Sequence, residues 1–126
     1  MVRGIRGATT VRSNTSEAIL EASKELLHTI VSANNVQREH IASVFFTTTP
    51  DLNAEYPAVA AREAGWVDVP LLCGHEMNVP GGLPLCLRVL MHVNTNLSSE
   101  EIQHIYLHKA VALRPDLANN QPETNL

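Results

Sequence analysis

Basic residues are in the minority in this chain. Nine Lys and Arg stand against thirteen Asp and Glu, a formal net charge of −4. That balance excludes a general nucleic-acid binder, because neutralising phosphates requires a basic surface. Long apolar runs are missing too, each being broken within a few residues by charge, proline or glycine. No stretch can span a bilayer, so no membrane partner is expected. No signal-peptide pattern precedes the first expected strand, which predicts a cytoplasmic protein. Only two cysteines occur, Cys73 and Cys86, in no metal or redox spacing, so both read as reduced thiols.

The usual chemical motifs are also absent. "VPGGLP", residues 79–84, lacks the lysine and the following helix of a phosphate loop. Spacing alone supports no Ser-His-Asp or Cys-His arrangement. His104 and His108 lie four apart; on a strand that is about 13 Å at ~3.3 Å per residue, too far to share a metal. No metal and no cofactor is expected. Any local basic site would be telling, since it would run against the overall charge.

What is present suits one globular domain: 126 residues, 44% hydrophobic and 17% charged. "VRGIRGATTV", residues 2–11, reads as a strand. Asn14 or Thr15 can cap a helix of about five turns carrying Ile19, Leu26 and Ile30 at helical spacing. "VQREHIA" adds a short turn, and "SVFFTTT", residues 43–49, reads as a buried strand stopped by Pro50. Pro57 opens a short helix that Gly65 ends. "VPLLCGHEM" and "LRVLMHVNT" are strands, "SSEE" starts a short helix, and "HIYLHKAV" is a last strand. The order predicts an α+β fold, a mixed sheet with helices on one face. Its other face should be partly apolar and covered in an oligomer. Residues 1–117 form the expected domain, and 118–126 a polar, mobile tail.

Alternation places certain polar groups off the core. Arg6 shares a face with the small Gly4 and Ala8, and Arg88 opposes Leu87 and Val89. Tyr106 opposes Ile105 and Leu107, and Glu76 falls at a strand end. Taken singly, each is most simply a surface group.

Together the longer motifs identify the chain as similar to a known family. "VRGIRGATTV", "TPDLNAEYPAVAAREAGW", "VPLLCGHEMNVPGGLPLCLRVLMH" and "HIYLHKAVALRPDL" resemble the monofunctional chorismate mutases of the AroH type, from residue 2 to about 117. The resemblance implies rearrangement of chorismate to prephenate, toward phenylalanine and tyrosine. It implies a homotrimer with a barrel-like core and active sites between subunits. Arg6 is then expected on a substrate carboxylate, and Arg88 on the ether oxygen and a carboxylate. Glu76 would accept a hydrogen bond from the ring hydroxyl with Cys73 nearby, and Tyr106 would contact a carboxylate. Tyr56, Ala58, Arg62, Leu71 and Leu72 match the wall supplied by the neighbouring subunit. Leu113 and Arg114 match the segment leading into the tail. Two other readings of such a trimer are a non-catalytic carboxylate binder and an imine hydrolase of the reactive-intermediate deaminase kind. The first does not need the opposed Glu76, and the motifs of the second do not match.

Overall fold

The computed structural model describes residues 1–118. Five strands form one mixed sheet: β1 (Val2–Thr10), β2 (Ile41–Thr48), β3 (Leu71–His75), β4 (Cys86–Asn94) and β5 (Ile105–Tyr106), in the order β3-β2-β4-β1-β5. β4 lies at the centre, antiparallel to both β1 and β2. The edge strands β3 and β5 run parallel to their neighbours. The sheet is mixed because the β1–β2 and β2–β3 connections carry helices, which return the chain in the same direction.

Helix α1 (Ser16–Asn34) begins where Thr15, extended, accepts a hydrogen bond from the Ala18 N–H at 3.1 Å. It ends at Asn35, in the left-handed region at φ 52°. Its stripe of Ile19, Leu26 and Ile30 is fully buried against the sheet. Gly7 permits the close approach. A Cβ there would stand 2.6 Å from Ile30 Cδ1. Helix α2 (Ala58–Glu63) buries only alanines, Ala58, Ala60 and Ala61. Gly65, at φ 93°, turns the chain out of it.

One core therefore lies between the helices and one sheet face, with Ile5, Val44, Phe46, Leu87, Val89, Met91 and Ile105 supplied by the strands. On the other face Leu72, Phe45, Leu90 and Arg6 stand in one cross-strand row. The three apolar members of that row are exposed. A smaller cluster of Ala8, Tyr106 and Ala110 covers the β5 end of this second face, joined by Leu113 and Leu117.

Three expectations need correction. The last strand spans only Ile105–Tyr106; His108, at φ 53°, opens a 3₁₀ turn, η2 (His108–Leu113), that leads to helix α3 (Pro115–Ala118). His104 and His108 are thus not on one strand. The His104 ring meets Arg6, and the His108 ring meets Glu25 of α1 at 2.9 Å. "SSEE" forms a reciprocal turn without a helix. The Ser98 N–H donates to Glu101 Oε1 at 2.8 Å and the Glu101 N–H to Ser98 Oγ at 3.3 Å. Ile102 then dives into the core, ending the turn before a helix can propagate. Finally, the helical elements are not all on one face, because η2 and α3 pack with Tyr106 on the second. The expected tail lies outside the described residues, apart from Ala118 at the end of α3.

Phe45 and Phe46 are neighbours on opposite faces, 40% and 1% exposed. Phe46→Ala should lower unfolding free energy by about 3–5 kcal/mol, the usual cost of emptying a buried aromatic site. Phe45→Ala should cost far less in a denaturant titration held at protein concentrations too low for association. Equal costs would contradict the core described above.

Candidate active site

Arg88 projects from the middle of β4 on the second face, because its neighbours Leu87 and Val89 fill the core. Its Nε lies 3.2 Å from Glu76 Oε2. Thr47, the register partner of Arg88 on β2, donates its hydroxyl to the same oxygen at 2.6 Å. The Glu76 N–H donates to the Thr48 carbonyl at 2.7 Å. The carboxylate is therefore held from its backbone and from one oxygen. Its partner Arg88 is half-exposed, so the pair contributes orientation more than stability.

Across the next two strands the same face carries Ala8, level with both Arg88 and Tyr106. Ala8 is buried there, packed with Tyr106 and Ala110. Burial raises the Tyr106 pKa, while the charges of Arg6, Arg114 and Arg88 pull it down. The net is upward, so its hydroxyl keeps its proton at neutral pH and can donate. Arg114 approaches from beyond η2 and pairs with Asp116 through two N–H groups, at 3.2 and 3.0 Å. Arg6 stands on β1, its backbone N–H donating to His104 Nδ1 at 2.9 Å. His104 is pushed toward its neutral form by burial first, then by Arg6 and Arg114.

Arg6, Glu76, Arg88, Tyr106, Leu113 and Arg114 are thus brought to one face. Tyr56, Ala58, Arg62 and Cys73 gather elsewhere, around α2 and β3. Tyr56 and Cys73 line a cleft of about 370 Å³ with Leu52, Pro57 and His75. Leu71 and Cys73 pack toward the helix-covered core, and Leu72 points to the second face at 62% exposure. The neighbours of Cys73 are Ala58 and Arg62. From β3 to β5 is four strand spacings, roughly 19 Å at ~4.8 Å each. The two groups are divided by the sheet itself: Ala58 and Cys73 pack on the helix-covered side, Tyr106 on the other.

Sequence reasoning passed over Thr47 and His104. Thr47 had a detectable signal, since alternation from the buried Phe46 puts it on the open face. His104 had none, because its contact with Arg6 depends on the parallel β1–β5 pairing. A wider cleft, about 830 Å³, lies between α1 and η2 away from this cluster. In its lining Arg12 pairs with Glu21 at 3.1 Å, and the His108 ring meets Glu25 at 2.9 Å.

Fold and site define a class: a small single-sheet α+β protein whose open face gathers arginines around a tyrosine, an arrangement suited to carboxylates. Comparison with known proteins narrows it. Residues 2–117 match the family model described as chorismate mutase type I. The chain is 49% identical over 119 residues to a protein named chorismate mutase AroH from Bacillus subtilis, covering 94% of each. It is 50% identical over 122 residues to one of the same name from Thermus thermophilus, covering 96% of this chain and all of the other. A solved chorismate mutase from Clostridium thermocellum superposes with a TM-score of 0.86 at 44% identity, over 87% of this chain and 98% of that one. The chain belongs to the type I chorismate mutase family.

Burial raises the pKa of both thiols; Arg62 opposes the shift at Cys73, and Arg88 at Cys86. A raised pKa means less thiolate at a given pH. At pH 8 the folded protein should therefore react with iodoacetamide more slowly than free cysteine does, and Cys86, almost fully buried, slowest. Alkylation of the folded protein at the rate of free cysteine would contradict these environments.

Proposed function

We propose that this chorismate mutase works as a cytoplasmic homotrimer with a barrel-like core, each active site combining the arginine face of one subunit with the α2–β3 wall of the next. The reaction converts chorismate to prephenate within one molecule. The ether C–O bond breaks as a C–C bond forms, without a nucleophile, a proton transfer or a cofactor. The protein has two tasks. It must hold a flexible dianion in its compact reactive shape. It must also stabilise the charge that grows on the ether oxygen as the C–O bond lengthens.

The observation that carries this reading is the convergence of Arg6, Arg88 and Arg114 on Tyr106, opposite Glu76. In it, Arg88 reaches the ether oxygen and a carboxylate with guanidinium N–H groups beyond the Nε that faces Glu76. Arg6 and Tyr106 hold a carboxylate. Glu76 accepts the ring hydroxyl and is not a general base. The partner supplies Tyr56, Ala58, Arg62, Leu71 and Leu72 as the wall. Two observations support a shared site: Ala58 of the wall packs on the opposite side of the sheet from Tyr106 within one chain, and an exposed apolar row, Leu72, Phe45 and Leu90, leads to Arg6.

Arg88→Ala should lower kcat by on the order of 10²–10³ or more, with a smaller change in KM, because the contact matters most as charge develops. Arg88→Lys should recover little, since it lacks the rigid fork. Arg6→Ala should act more through KM, its contact being present in both ground and transition states. Steady-state kinetics on the folded variants check this, and a near-normal kcat for Arg88→Ala would remove the mechanism.

Subunit sharing has its own test. Inactive Arg88→Ala and Arg62→Ala chains, mixed and allowed to exchange, should regain activity through intact sites in mixed trimers. Verified exchange without recovery, or a fully active monomer in sedimentation, would refute the shared site.

A further inference from the structure

His104 sits just before β5, in backbone fixed on both sides. Asn34 of α1 donates to the Gln103 carbonyl at 2.9 Å and accepts from the Gln103 N–H at 2.7 Å. One residue after His104, Ile105 pairs with Gly7. The ring therefore has little freedom, and it meets Arg6 twice. Nδ1 takes the Arg6 backbone N–H at 2.9 Å, and Nε2 lies 3.5 Å from Arg6 Nη1.

The first contact decides the tautomer. A backbone N–H can only donate, so Nδ1 must be the acceptor and carries no proton. A neutral ring then has its proton on Nε2. Burial and the cations Arg6 and Arg114 push the ring toward its neutral form, and Tyr106, two residues further on, faces the same two arginines. The Nε2–H thus confronts a guanidinium N–H, a donor against a donor. Two donors at that spacing are satisfied together by one oxygen roughly 2.9 Å from each.

We propose that His104 is a further substrate-contacting residue, its Nε2–H and the Arg6 Nη1–H donating to one carboxylate oxygen of the bound dianion. The proposal rests on the active-site reading given above. It gives His104 two separable jobs. Nδ1 closes the β1–β5 ladder where strand pairing runs out, and Nε2 serves the ligand. A histidine suits both because its two nitrogens take opposite roles.

His104→Asn separates the jobs. The amide oxygen takes the place of Nδ1 and still accepts from Arg6, while nothing replaces Nε2. The variant should melt near the wild-type temperature and keep kcat within about twofold. Its KM for chorismate should rise on the order of tenfold or more, as for loss of a hydrogen bond to a charged group. A wild-type KM in the folded variant would overturn the role of His104 while leaving the active site in place. Absence of chorismate turnover by the wild-type protein would instead sink the active-site reading, and this inference with it. A second measurement needs no variant. Histidine ¹⁵N–¹H correlation spectra of the wild-type protein at neutral pH should show His104 protonated on Nε2 alone. A proton on Nδ1 would overturn the proposal.

Discussion

The alternation of β4 is the constraint on which the rest of the structure depends. Leu87, Val89, Met91 and Val93 go under the helices, so Arg88 and Leu90 must face the other way. Because β4 is central, its register also sets β1 and β2. Ala8 and Thr47 come level with Arg88, and Arg6 and Phe45 come level with Leu90. A slip of one residue would drive the guanidinium into the core and bring Leu87, Val89 and Met91 to the surface. The pressure that packs the core is therefore the same pressure that aims the site. α1 reinforces it from beneath, since the contact of Ile30 with Gly7 tolerates no larger residue without displacement.

Much of this was legible from period and motif. Strands β1, β2 and β4 carry strong alternation, and α1 has a clear cap and stripe, so their placement and exposed faces could be read directly. The end of the chain could not. "HIYLHKAV" is β-branched and aromatic enough to suggest a full strand, yet only Ile105 and Tyr106 pair before His108 takes a positive φ. That break depends on Ala110 and Leu113 folding back onto Tyr106, a tertiary contact invisible to local pattern. "SSEE" shows the complementary failure. Its capping signal was real, and the reciprocal bonds form, but burial of Ile102 outweighs continuation of the helix. At the site, the resemblance named Arg6, Glu76, Arg88 and Tyr106, and the fold brings them to one face. Alternation from Phe46 puts Thr47 on the open face, but His104 follows from the β1–β5 pairing, which no single stretch of sequence encodes.

The electrostatics of the face explain why such a site can exist on an acidic chain. Arg88 is balanced by Glu76, and Arg114 by Asp116. Among the described residues Arg6 makes no ion pair; the side chain beside it is His104, held toward neutrality. Local positive charge is therefore concentrated near Arg6 and Tyr106 while the rest of the surface is net acidic. Such a contrast favours a compact anion over an extended polyanion, which the surrounding carboxylates would repel.

The pairing of Arg88 with Glu76 also bears on how the charge is used. A lone arginine on an exposed strand would be free to sample many rotamers and would have to be ordered at the moment of reaction. Glu76 takes up Nε, and Thr47 in turn fixes the Glu76 oxygen that does this. In the proposed mechanism the entropy of ordering would thereby be met on folding, as preorganisation requires of a group that stabilises developing charge. The same carboxylate moderates the field of the guanidinium before substrate arrives, so a dianion need not displace a competing anion to reach it. In the proposed assembly, covering the exposed row of Leu72, Phe45 and Leu90 would also exclude water beside Arg6, strengthening every contact made there. Association and catalysis would then draw on one surface, and the apolar residues that look costly on an isolated chain would be those that make its arginines effective.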